Sequence, residues 1–82
     1  MNLRLAYKLI AEAEHEPRGF LKVCGREEAY EVHLMAEAGL VRANESDKSD
    51  PPEAMITRIT HAGHQFYHAL SNVRSFSNAL RA

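Results

Sequence analysis

Three histidines, His61, His64 and His68, recur at i, i+3 and i+7, a spacing that sets imidazoles along one side of a helix. Rings placed in this way could offer two or three nitrogens to a metal ion. No cysteine or carboxylate stands beside them in sequence to complete a ligand set, and His15 and His33 could approach only through tertiary packing. No metal and no cofactor is therefore expected. Nucleophilic chemistry is no better supported. Cys24 is the single cysteine, nothing nearby would stabilise its thiolate, and it reads as a small packed residue. The chain has no glycine-rich phosphate loop and no paired metal-ligand motif. Its Ser, His and Asp residues show no order suited to nucleophilic attack. The chain is read as a non-enzyme.

The elements that would hold these side chains can be read from local signals. Residues 2–14 form a helix with Leu3, Ala6, Leu9, Ile10 and Ala13 on one broad side. Leu5 and Tyr7 lie at its margins, and Arg4, Lys8, Glu12 and His15 lie opposite. Asn2 can cap the start, and Pro17 and Gly19 end the helix. Phe20 to Cys24 reads as a short strand broken by Gly25. A second helix over about 26–38 stops at Gly39, which takes the left-handed conformation without strain. Strand-like residues 40–43 and 55–60 flank an exposed loop, 44–53, that contains Pro51 and Pro52. Thr60 is a good N-cap for a last helix. Gly63 costs that helix about 1 kcal/mol, so its presence implies another backbone close by.

Along the last helix Ala62, Phe66, Ala69, Val73, Phe76 and Leu80 recur at spacings of 4, 3, 4, 3 and 4, a heptad-type seam widened by Leu70. Such a seam packs either on the chain's own first helix or on a second copy. The expectation adopted is a homodimer through Phe66, Val73, Phe76 and Leu80, with 71–82 as a dimerisation extension. Weak helix formers from Ser71 to Asn78 could interrupt the helix near residue 72.

Eighty-two residues, 45% of them apolar, suit one small domain over 1–82 with a modest core. No apolar run approaches the roughly 20 residues that span a bilayer. The opening residues read as a charged amphipathic helix rather than a signal peptide, and a single cysteine excludes an internal disulfide. Cytoplasmic residence without membrane contact is expected.

Glu37-Ala-Gly-Leu-Val41 and Ile59-Thr-His-Ala-Gly63 resemble the corresponding segments of bacterial and phage winged helix-turn-helix regulators. With Tyr30 to Val41, Ile59 to Leu70 and the opening helix added, the likeness spans nearly the whole chain. It is then similar to an uncharacterised family of short, phage-associated winged-helix proteins. The resemblance implies an α+β winged helix: helix, strand, helix, two-stranded wing, long C-terminal helix. It also implies that the helix before Gly39 would face a DNA groove and that the wing would follow the backbone.

Charge opposes that orientation. The helix holds Arg26 against Glu27, Glu28, Glu31 and Glu37, a balance of -3. The 44–53 segment holds Lys48 against Glu45, Asp47, Asp50 and Glu53, again -3. Arg4, Lys8, Arg18, Lys22, Arg42, Arg58, Arg74 and Arg81 against Glu12, Glu14 and Glu16 leave +5 elsewhere, and the total is -1. Phosphate neutralisation supplies most non-specific DNA affinity, so two acidic surfaces point to a basic protein partner instead. The partner-binding residues expected are Glu27, Tyr30, Glu31, His33, Leu34, Glu37 and Asp47, in a regulatory or inhibitory module. The alternative is a DNA-binding transcription regulator that uses Arg26, Tyr30, His33 and Lys48. With five histidines in the chain, acidification through the ordinary imidazole range turns the net charge positive.

Overall fold

The structure is a computed structural model and describes residues 1–46 and 48–73. It is a mixed α+β fold of three helices and a three-stranded antiparallel sheet. The chain runs α1 (Leu3–His15), β1 (Leu21–Cys24), α2 (Arg26–Glu37), β2 (Val41–Ser46), β3 (Glu53–Ile59) and α3 (His61–Ser71). The strand order is β1-β3-β2. One helix lies between β1 and β2, so the close pair of consecutive helices that defines a helix-turn-helix is not formed in that interval.

Helices α1 and α3 begin where a side chain replaces a missing helical acceptor, whereas α2 starts at Gly25 without a side-chain cap. Asn2 accepts from the Leu5 amide at 3.2 Å, and Thr60 accepts from the Gly63 amide at 3.1 Å. At the end of α2 the Gly39 amide donates to Ala36 O and the Leu40 amide to Met35 O. This is a Schellman closure, and it requires the left-handed Gly39 (φ +77°).

Alternation along the strands sorts their two faces. Val23 pairs with Ala54 and Leu21 with Ile56 on the side that meets α1 and α2, whereas Lys22–Met55 and Cys24–Glu53 face away. The hairpin β2–β3 is longer than the sequence implied. Pairing runs out to Ser46 and Glu53, beyond residues 43 and 55, the expected end of one strand and start of the other. The core lies between the sheet and the first two helices, and its largest fully buried side chains are Tyr7, Ile10, Val32, Met35 and Ile56. Burying each of the aliphatic ones contributes about 1.5–3 kcal/mol.

Two helix faces differ from the expected ones. Tyr7, expected at the margin of the apolar side of α1, is 1% exposed, while Leu3, expected on that side, is 46% exposed. The reason is α3. Tyr67 stacks on Tyr7 with ring centroids 4.9 Å apart and planes 16° from parallel, and the Tyr7 hydroxyl meets Ser71 Oγ at 3.1 Å. The side of α3 turned inward is therefore Gly63, Phe66, Tyr67 and Ser71, because stacked aromatic rings bury more surface than alanines at the seam positions would. Phe66 packs against the chain's own core. Ala62 and Ala69 are exposed, and Val73 is exposed as well. Phe76 and Leu80, with the rest of the expected dimerisation extension beyond Val73, lie outside the described residues, as does Asp47. Among the described residues no helix is long and apolar enough to cross a membrane.

The backbone expected near Gly63 is that of Leu40. A Cβ at Gly63 would fall on the Leu40 carbonyl oxygen, and a backbone atom cannot rotate away as a side chain can. Gly63→Ala should therefore destabilise the fold by at least about 2 kcal/mol, measured as a lowered urea midpoint. An unchanged midpoint would refute the close approach.

Tyr67 gives a second expectation. Its pKa is raised above the ordinary 10.0, first by burial and then by the adjacent Tyr7. A phenol with a raised folded-state pKa contributes stability that is full below the unfolded value and is lost as pH rises through the folded one. Stability should thus fall above about pH 10, and Tyr67→Phe should flatten that alkaline decline. The same slope in both proteins would exclude Tyr67 as its source.

Candidate functional site

Arg26, Ala29, Tyr30 and His33 lie at i, i+3, i+4 and i+7 and so share one side of α2. That side is not flush with the sheet. It forms one wall of an open cleft of about 570 Å³, whose other wall is Glu45 and Ser46 of β2 with Pro52 and Glu53 at the start of β3. Glu45 reaches the cleft because it pairs with Ala54 and so projects to the helical side of the sheet. Tyr30 is 60% exposed, a large aromatic ring with no core to fill, and its ring lies 6.3 Å from that of His33.

His33 ties the walls together. Its Nδ1 lies 2.9 Å from Glu45 Oε1 on β2, and its Nε2 contacts Glu37 Oε1 one turn further along α2. The ring thus sits between a carboxylate of its own helix and one of the hairpin. The outer side of the hairpin carries a further pair, Lys22 Nζ to Glu53 Oε2 at 3.3 Å. Both clusters are largely solvent-exposed, so they orient the cleft more than they stabilise the fold.

The expected site residues are thus only partly assembled. Arg26, Tyr30 and His33 line the cleft, and Glu37 joins it through His33. Glu27 is exposed and Leu34 half-buried, and neither lines it. Lys48 is exposed in the hairpin loop. Glu31 must be removed from the surface set. It is 4% exposed, and its Oε1 accepts from the Asn2 backbone amide at 3.1 Å. Its position in the helix turns it under the start of α1, where the positive end of the helix dipole favours a carboxylate. Glu31 Oε2 has no hydrogen-bond partner among the described residues. Glu45, Ser46, Pro52 and Glu53 were not foreseen as one wall. The signal that could have found them is the period-2 alternation of the hairpin, once its register is known.

The remaining cations do not gather on this cleft. Lys8 shares a shallow pocket with Glu12, Lys22 and Glu28, and Arg58 faces the far end of α1 with Arg18. Of the three C-terminal histidines, His64 is held by Glu14 Oε1 at 2.7 Å, and His68 meets the edge of Tyr67. Among the described residues no three His, Cys, Asp or Glu side chains converge as a metal site.

The bridge through His33 is open to test. His33→Leu should speed hydrogen exchange of the β2 amides around Glu45, while costing global stability only about 0.5 kcal/mol. Unchanged exchange would show that the bridge does not restrain the hairpin.

No curated protein and no solved structure matches the chain. A family model does, over residues 5–79 of the 82. It takes in most of α1, the cleft and the hairpin, and by that match the chain belongs to the family described as hypothetical protein (DUF2513).

Proposed function

We propose that this protein is a small winged-helix regulatory or inhibitory module that binds a basic segment of another protein in the cleft between α2 and the hairpin. In this reading β2–β3 is the wing and α2 the helix beside it. The observation that carries the reading is the electrostatic character of those walls. Among the described residues Arg26 is the only lysine or arginine lining the cleft, against Glu45, with Glu37 at its end through His33; Glu53 borders it with its carboxylate paired to Lys22 on the outer side. Exposed Tyr30 supplies an aromatic anchor of the kind that dominates protein contacts. The surrounding carboxylates favour encounter with a cationic partner. A duplex would meet the same carboxylates within a screening length of about 8 Å.

A second reading, a DNA-binding transcription regulator, draws on one observation. Arg26, Tyr30 and His33 share the open side of α2, and Lys48 is exposed at the hairpin loop, the arrangement that a groove-reading helix needs.

The two readings part on one pair of titrations at neutral pH and low salt. An arginine- and lysine-rich peptide should shift the NMR signals of Tyr30, His33 and Glu45, and Tyr30→Ala should weaken its binding roughly tenfold. A random duplex should not bind. Saturable duplex binding with a steep salt slope, abolished by Arg26→Ala and insensitive to Glu45→Gln, would replace the first reading with the second.

A further inference from the structure

The opposite end of β3 carries a concave surface of the other sign. Glu53 and Ile59 begin and end that strand, about 20 Å apart at the rise of an extended chain. Near Ile59 a cleft of about 430 Å³ is bounded by Glu14 at the end of α1, Arg18 and Gly19 in the turn that follows, Arg58 on β3 and His64 in the first turn of α3. Neither Arg18 nor Arg58 has a carboxylate within ion-pair distance among the described residues. The one carboxylate in the cleft, that of Glu14, is engaged by His64 Nδ1 at 2.7 Å.

The strand geometry sharpens this imbalance. Arg58 stands directly opposite Arg42 in the β2–β3 ladder, a like-charge pairing that is unfavourable by itself. The register slips between Arg42 and Ala43, leaving Thr57 as the extra residue, with its hydroxyl donating to Arg42 O at 3.2 Å. A bulge of this kind re-aims the neighbouring side chain. Arg58, next to this bulge, lines the cleft near the end of α1 together with Arg18. Arg18, Arg42 and Arg58 have no carboxylate within ion-pair distance among the described residues, and an anion in the cleft would relieve the two that line it.

We propose that this cleft is an oxyanion site that takes a phosphoryl group between the Arg18 and Arg58 guanidiniums. Phosphoryl chemistry fits better than a carboxylate. One guanidinium fork saturates the two oxygens of a carboxylate, whereas a phosphoryl group offers three oxygens to two forks. The site does not depend on the α2 cleft or on what that cleft binds.

The test is a titration of the protein with inorganic phosphate at constant ionic strength, followed by NMR of the Arg18 and Arg58 side-chain Nε–H signals. Saturable shifts confined to this cleft are expected. Arg58→Gln should weaken binding about tenfold or more. Arg4→Gln removes the same charge about 15 Å away along α1 and should leave binding unchanged. Glu14→Gln, which removes the negative charge from the lining, should tighten it. A short duplex added to the phosphate-bound protein separates the sources of the ligand. Displacement that depends on Arg58 assigns the phosphoryl group to a nucleic-acid backbone, and no displacement assigns it to a small phosphorylated molecule. Shifts that never saturate, or equal weakening by Arg4→Gln and Arg58→Gln, would overturn the proposal.

Discussion

The fold is fastened where the turn after α2 meets the start of α3. Leu40 O accepts from the Thr60 amide at 3.0 Å. Thr60 Oγ1 donates to Gly39 O at 2.5 Å and accepts from the Gly63 amide. One threonine thus caps a helix and satisfies a carbonyl left over by another helix's end, a group that would be costly to leave unpaired in a packed junction. Gly63 is the steric condition for this arrangement, because any side chain there would occupy the space of the Leu40 carbonyl. The junction sets where α3 departs from the sheet. From that departure follow the Tyr7–Tyr67 stack, the face that α3 turns inward and the position of His64 beside Glu14.

Charge is divided along the sheet instead of spread evenly. The hairpin end carries Glu45 and Glu53 with Glu37 close by, while the other end carries Arg18, Arg42 and Arg58. A net charge of -1 conceals this separation. Opposite potentials at two ends steer different partners to different surfaces, which is the physical ground for treating the two clefts as separate sites. The internal pairings of His33 and His64 add to the contrast, because each ring holds a carboxylate in place and so fixes the geometry of its cleft.

Several features were legible because they depend on neighbours in sequence. Asn2, Thr60 and Gly39 act within one turn of the chain, and their capping roles follow from residue type. The acidity of α2 and of the hairpin segment is a matter of counting. What the count could not show is which charges reach the surface. Glu31 resembles Glu27 and Glu28 in sequence, yet it is buried because the start of α1, 29 residues away, supplies its donor. Glu45 resembles a loop residue, yet it faces α2 because its strand continues to Ser46.

Amino-acid order by itself determined the number and kind of elements, their caps and stops, and the contrast between an acidic middle and basic flanks, because propensity, capping and composition act over a few residues. Tertiary structure alone decided which face of α3 is inside, that Arg18 and Arg58 line one cleft, and that α2 and β2 form two walls of another. Those outcomes depend on register and on the crossing of distant segments, and a one-residue shift in either reverses the side on which a side chain emerges.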